Sequence, residues 1–274
     1  MQKPVIFLVD NGSLRPQATF GLRELAERLS RKVGREVEAV SLLHSHKIPG
    51  EQLQGRPATI VKRRMRELLK VGQREFVVLP LFLGPSLAIT EYLPSIVEEM
   101  RSDYPGLEFK VAEPVAGRDV DRPDFRLAQI LKAQLSQILG EERSGKTIAL
   151  VDHGTPIRPV NALRNAVARQ LAELLQCPVQ ACSMERREGA DYAFNDPLLE
   201  NLAKEEGYAG TDLALGMFFL LPGRHAGEGG DVAQIAEGLV ERGDFRSVQI
   251  SPLLGEHPLL LEILSDRLHA VYKK

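Results

Sequence analysis

Apolar and polar positions along this chain follow two alternating periods, and the whole series of periods occurs twice. Residues 5–16 read VIFLVDNGSLRP: a continuous apolar run, then Val-Asp, a polar residue, Gly, a hydroxyl residue and, shortly after, Arg-Pro. Leu22, Leu25, Leu29 and Val33 follow at spacings of three and four, which sets them on one helix face. Residues 147–159 read TIALVDHGTPIRP and repeat the pattern, with Val160, Leu163, Val167, Leu171 and Leu174 as the helical stripe. The next extended segments are VEAVSLL (37–43) and VQACSME (179–185), then FVVLPLFLGP (76–85) and LALGMFFLLP (213–222). FKVAEPV (109–115) and VQISPLL (248–254) supply a fourth strand in each copy. Each copy closes with a helix, carried by Leu127, Ile130, Leu131 and Leu135 and then by Leu260, Ile263, Leu264 and Leu268. The polar EERSGK at 141–146 reads as a linker.

Strands alternating with helices, joined by short Gly- and Pro-containing loops, predict parallel βαβ units. Near-continuous apolar strands fit a sheet covered on both faces. The chain therefore reads as α/β, with two tandem similar βαβ-type domains and parallel sheets, over residues 1–142 and 143–274. In such sheets ligands bind just beyond the carboxyl ends of the strands.

Composition narrows the class. The chain has 274 residues, with 35 Lys and Arg against 37 Asp and Glu. A net charge of -2 offers no electrostatic footprint for nucleic acid or an anionic membrane. The apolar stretch from Leu213 to Pro222 is about half of what a spanning helix needs. Two cysteines, Cys177 and Cys182, cannot build a disulfide framework, and the N-terminal residues carry no signal-peptide pattern, so the cytoplasm is the expected compartment.

In the second copy, the strand ends carry Asp152-His153-Gly154-Thr155, then Glu185, then Gly223-Arg224-His225 with Glu228. Neutral imidazole and carboxylate are good ligands for divalent Fe, Co, Ni or Zn. The first copy has Asn11 where the second has His153, Leu43 for Glu185, and Ala88 for His225, with Glu91 opposite Glu228. Gly12 and Gly154, and Pro85 and Pro222, persist in both. A structural role would recur in both copies. Joint presence of both histidines and Glu185 in only one copy points to a single working site, in the second, with a degenerate site in the first.

HGTxxRP after an apolar strand, followed later by FFLLPGRH and by the terminal PLLGEHPLLLEILSDRL (252–268), resembles the class II tetrapyrrole chelatases. Within them the sirohydrochlorin chelatase group (CbiX/SirB type), in its two-domain form, is the nearest match, with protoporphyrin ferrochelatase more distant. The similarity runs over essentially the whole chain. It implies a chelatase-like fold and ATP-independent insertion of Co(II) or Fe(II), with Ni(II) a further option, into sirohydrochlorin or a related tetrapyrrole, in cobalamin or sirohaem synthesis. The metal enters as substrate, and no nucleotide is needed. His153 matches the histidine of the family's HG[ST] motif and His225 the second histidine. Glu185 matches the acid at the end of the strand before the variable helix, and Glu228 the acid after the second histidine. The chain departs from the family where two adjacent acids and Ile-Pro are usual, because Glu228-Gly229-Gly230-Asp231 stands there. It also carries its histidines in the second copy, where many two-domain members carry them in the first.

Insertion requires that a divalent ion be held and released and that two pyrrole protons be removed. His153, His225 and Glu185 are assigned to proton removal and metal delivery, with His153, His225 and Glu228 as metal ligands. Sirohydrochlorin carries eight carboxylates. Thr155, Arg158, Arg164 and Arg224 are the residues expected to receive it, since Arg matches carboxylates through bidentate geometry. A solvated helix or loop charge is the competing reading for each arginine. Gly227, Gly229 and Gly230 either let the loop approach the macrocycle or make a turn. His44 and His46 read as an exposed loop pair, His257 as a loop residue, and both cysteines as buried thiols. Two other functions compete with the enzyme: a metal or tetrapyrrole carrier using the same residues, and a different enzyme on a similar fold. No membrane or nucleic-acid partner is expected. A monomer is plausible from the internal duplication, and a dimer is the other option.

Overall fold

The computed structural model describes residues 3–140 and 145–273. Residues 141–144 of the expected linker lie outside them.

The first sheet contains β1 (Val5–Asp10), β2 (Val37–Ser41), β3 (Glu75–Pro80) and β4 (Glu108–Val111), in the order β2-β1-β3-β4. All of its pairings are parallel. Helices α1 (Pro16–Val33), α2 (Val61–Lys70) and α3 (Leu93–Asp103) connect the strands. The middle of β1 is buried on both faces, which is why its sequence is a continuous apolar run rather than an alternating one. Phe7, Val9, Phe76 and Val78 face Met65 of α2 and Ile96 of α3 in one apolar cluster. Each such side chain, fully buried, contributes about 1.5–3 kcal/mol.

The second sheet contains β5 (Lys146–Asp152), β6 (Gln180–Ser183), β7 (Asp212–Met217) and β8 (Ser247–Ile250), in the order β6-β5-β7-β8, again all parallel. Between β5 and β6 runs α5 (Arg158–Leu175), and between β7 and β8 runs α6 (Asp231–Glu241). Where the first sheet has α2, the second has only short 3-10 turns at Ala190–Asn195 and Leu199–Lys204.

The chain divides into two compact units that differ from the two sequence copies. One comprises Met1–Arg118 with Leu261–Lys274, and the other Asp119–Leu260. The closing helices are therefore exchanged. Helix α4 (Arg126–Leu139) follows the first sheet but packs against α5 and β7, and its Gln134 donates to the Leu253 carbonyl at 2.8 Å. Helix α7 (Pro258–Tyr272) follows the second sheet but packs with the first unit: Glu262 pairs with Lys32 at 2.6 Å, and Arg267 donates to the carbonyls of Pro114 and Val115. The repeat boundaries 1–142 and 143–274 thus describe the sequence copies, while the packing units are cut before α4 and within α7. Among the described residues no helix is long and apolar enough to cross a membrane.

In each sheet the strand order reverses direction beside the first strand of the copy. Sheets of this order place their ligands at that switch point, at the carboxyl end, between the loops leaving β1 and β3 or β5 and β7.

Candidate active site

The β5 strand ends at Asp152, so His153 begins the loop that leaves the switch point on one side. The chain then turns sharply at Gly154, whose φ is +91°. A Cβ at Gly154 would collide with the Glu185 carbonyl oxygen, so only glycine lets the loop after β5 lie against the loop after β6. The two loops are tied by backbone bonds, from the Met184 amide to the Asp152 carbonyl (2.8 Å) and from the Glu185 amide to the His153 carbonyl (3.2 Å). His225 comes from the other side of the switch point, in the loop between β7 and α6.

These elements bring His153, His225 and Glu185 together. The two imidazole rings lie 4.4 Å apart between centroids, inclined by 59°. His153 Nε2 is 3.2 Å from Glu185 Oε1. His153 Nδ1 is 3.0 Å from the Gly154 carbonyl oxygen, so Nδ1 must carry a proton to donate there. With Nδ1 donating to Gly154, Nε2 is the His153 nitrogen that faces the Glu185 carboxylate. His225 Nδ1 lies 2.7 Å from Asp231 Oδ2, so it donates to that carboxylate and leaves its Nε2 lone pair free. His225, His153 and Glu185 side chains are 30%, 47% and 60% exposed, which leaves all three reachable by a ligand.

Asp231 was the residue that sequence reasoning left without a role. It begins α6, and its carboxylate is shared by His225 and, at 3.6 Å, by Arg224 Nε. Glu228, expected as a metal ligand, is exposed and bonds neither histidine among the described residues. The inserted Gly229-Gly230 pair carries the chain from Glu228 into the helix, and Asp231 at the first helical turn is the acid that meets His225. Among the described residues no three His, Cys, Asp or Glu side chains already surround a common point as a metal cage.

The expected substrate-binding residues separate into two groups. Arg158 and Arg224 are exposed beside the site. Arg164 is not available to a substrate: it is 1% exposed and points into the unit beneath His153. Its guanidinium donates to Ser183 Oγ (2.6 Å) and Asn165 Oδ1 (2.9 and 3.0 Å) and lies 3.4 Å from Asp152 Oδ1. Position 164 falls on the inward face of α5, so a charge there meets the buried Asp152 instead of solvent. Asp152 also accepts from Ser183 Oγ (2.7 Å) and the Gly154 amide (3.1 Å). Burial pushes the Asp152 carboxyl up from the usual carboxylate range, and Arg164 and Ser183 oppose that shift. Thr155 is fixed through its backbone. The fully buried Asn195 accepts from the Thr155 amide (3.0 Å) and donates to its carbonyl (2.9 Å), while Thr155 Oγ1 accepts from the Ile157 amide. A buried Asp152–Arg164–Ser183–Asn195 network thus supports the loops that carry His153 and Glu185.

Of the remaining readings, Cys182 is buried, its thiol pushed up to about 12 by burial, and Cys177 is half-buried. His257 precedes α7 and accepts from the Leu259 amide, and burial holds it below the usual imidazole range.

Comparison with known proteins adds an independent finding. The model of the CbiX family matches residues 5–136 and again residues 147–271, one match per sequence copy. Among curated proteins none matches the chain. Solved structures with a similar fold include SirB from Bacillus subtilis with Fe3+, at 16% identity and a TM-score of 0.73 over 98% of this chain and 96% of that one. The sirohydrochlorin chelatase SirB from Bacillus subtilis subspecies spizizenii, in complex with cobalt, is similar at 14% identity and TM-score 0.69, covering 99% and 96%. A third is CbiX, described as the terminal enzyme for biosynthesis of sirohaem in denitrifying bacteria, at 15% identity and TM-score 0.60, covering 98% and 99%.

Proposed function

The chain belongs to the CbiX family, and on that premise we propose that it inserts Co(II) or Fe(II) into sirohydrochlorin or a closely related tetrapyrrole, without ATP, in cobalamin or sirohaem synthesis. The observation that carries this reading is the pair of imidazoles, 4.4 Å apart at the switch point of the second sheet, each with its own carboxylate partner.

Insertion exchanges two pyrrole N–H protons for one divalent ion, so the site must offer a metal donor and two proton acceptors. His225 presents Nε2 as a neutral donor because Asp231 fixes its Nδ1 proton. A neutral nitrogen donor binds a divalent ion without the added charge that would hold it too tightly to release. Neutral His153 accepts one macrocycle proton at Nε2, with the Glu185 carboxylate beside it to stabilise the imidazolium, and His225 Nε2 accepts the other as it releases the ion to the ring. Arg158 and Arg224 flank the histidines as partners for the peripheral carboxylates.

The test is an anaerobic absorbance assay of the purified chain with sirohydrochlorin and Co(II), Fe(II) or Ni(II) in turn, beside a His153→Ala, His225→Ala variant. The expected result is metal-dependent spectral conversion, reduced at least about 100-fold in the variant. Conversion no faster than in the variant, with metal or macrocycle still bound, would overturn the enzyme reading in favour of a carrier.

A further inference from the structure

The loop after β6 carries a feature that the reaction scheme above uses only at Arg158. From Glu185 to Asp196 it reads ERREGADYAFND. Its two aromatic rings, tilted 54° to one another, lie between Arg187 of the loop and Arg158 at the start of α5. The Arg158 guanidinium lies 4.6 Å over the Phe194 ring, Phe194 is 6.5 Å from Tyr192, and the Arg187 guanidinium lies 5.8 Å over Tyr192. Arg158 and Arg187 are exposed, whereas the two rings are half-buried.

The neighbouring charges leave these two guanidiniums available. Arg186 is spent on the loop itself, donating to Asp196 at 2.8 Å and to the carbonyls of Arg187 and Gly189. Glu188 and Asp191 are exposed on the same loop, and among the described residues neither carboxylate is bonded to Arg158 or Arg187. The nearest polar contact of Arg158 is the Asp191 backbone carbonyl, at 3.4 Å. The group is also held in place relative to the histidines. Asn195, next to Phe194, grips both the amide and the carbonyl of Thr155, two residues from His153. At the other end the loop starts at Glu185, the partner of His153.

An arginine held over an aromatic ring loses less conformational freedom when its N–H donors are used. Arg158 on α5 and Arg187 on the loop after β6 present two such donor sets for carboxylates. The corresponding loop of the first copy, residues 43–57, contains no Phe, Tyr or Trp. We propose that Arg158–Phe194–Tyr192–Arg187 is a substrate-binding ladder, with the two guanidiniums receiving peripheral carboxylates of the tetrapyrrole while its reacting nitrogens face His153 and His225. This rests on the tetrapyrrole reading above and names the part of the site that recognises the acid groups.

The test uses the full chain and metal-free sirohydrochlorin, titrated by absorbance, against its octamethyl ester. Free acid is expected to bind the wild type far better than ester. Arg158→Gln and Arg187→Gln should each raise the Kd for the free acid about tenfold, leaving the weak ester binding alone. Arg158→Lys with Arg187→Lys should recover only part of that loss, because the ammonium lacks the flat fork. Thermal melting in parallel checks that the variants fold. If the wild type binds and metallates the macrocycle but the Gln variants bind it as tightly, the ladder is refuted and the chelatase reading stands. If binding depends on both arginines but no metal is inserted, the ladder stands and the chelatase reading falls. If the wild type binds neither form, both fall.

Discussion

The carboxyl ends of β1 and β5 share one backbone and differ in how they treat the same buried acid. In both, the residue after the strand bonds the following loop: Leu43 N–H to the Asn11 carbonyl in the first, Glu185 N–H to the His153 carbonyl in the second. In both, a glycine with φ near +90° lets the loops close, Gly12 against Leu43 and Gly154 against Glu185. Beneath them lie Asp10 with Ser41 and Asp152 with Ser183. The second copy adds Arg164 and Asn195 to that pair. The burial pattern of α1 puts Leu22 where α5 has Arg164. The scaffold therefore tolerates both an apolar and a charged floor. The charged floor stands under the copy that carries the two histidines.

The shared turn is the strongest test of the likeness. Gly12→Ala and Gly154→Ala each force a Cβ into a neighbouring carbonyl oxygen at a left-handed φ. Both should destabilise by more than about 3 kcal/mol in chemical denaturation. A large loss in one copy and none in the other would break the comparison.

The floor sharpens the contrast. Arg164→Leu imposes the first copy's residue on the second and leaves Asp152 buried without its cation. The expected cost is about 3 kcal/mol, and Asp152→Asn in the same chain should recover at least half of it. Urea denaturation of the two variants decides this. A cost below about 1 kcal/mol would show that Ser183 and Gly154 suffice for Asp152.

Within the loop after β7, two acids three residues apart should behave differently. Asp231→Asn removes the acceptor of His225 and should lower the metal-insertion rate about 10–100-fold. Glu228→Gln should leave that rate within about twofold. Equal effects, or a larger one at Glu228, would support Glu228 as the metal ligand.

Much of this was legible in the pattern of residues. The eight strands, the helix after the first strand and the closing helix of each copy, and the meeting of His153, Glu185 and His225 follow from a duplicated apolar pattern and from which copy retains the ionisable groups. Three things were not legible. Arg164 reads as a surface arginine because periodicity alone does not say that its helix face meets a buried Asp152. Asp231 was hidden because Gly229-Gly230 carry the chain from Glu228 into α6, where the acid that bonds His225 stands three residues further on. The exchange of α4 and α7 leaves no local signal, since either helix presents an apolar face that fits either sheet. A hint existed for Asp231, an acid in the first turn of a helix beside a histidine.

The smallest expected effect concerns the first copy's buried acid, which has no cation beside it. Asp10 Oδ1 is buried with no hydrogen-bond partner among the described residues. Burial raises its carboxyl to about 6, although Ser41 and the Gly12 amide favour the charged form. A folded-state value above the unfolded 3.8 means that the folded chain binds the proton more tightly. Stability is then unpenalised below about pH 4, falls as pH rises from about 4 to 6, and carries the full penalty above 6. The raised value corresponds to roughly 3 kcal/mol at most, and because Asp10 keeps some solvent exposure about 1–2 kcal/mol is the expected size. Asp10→Asn should therefore raise the unfolding free energy by that amount at pH 7.5, change it little at pH 4, and flatten the slope between. Burial raises Asp152 as well, but Asp152→Asn should not stabilise at pH 7.5, because it leaves the buried Arg164 guanidinium without its carboxylate. Denaturation of both variants across pH 4–8 gives the answer. Stabilisation by Asp152→Asn equal to that of Asp10→Asn would mean that the arginine floor contributes nothing, and the difference drawn between the two strand ends would not hold.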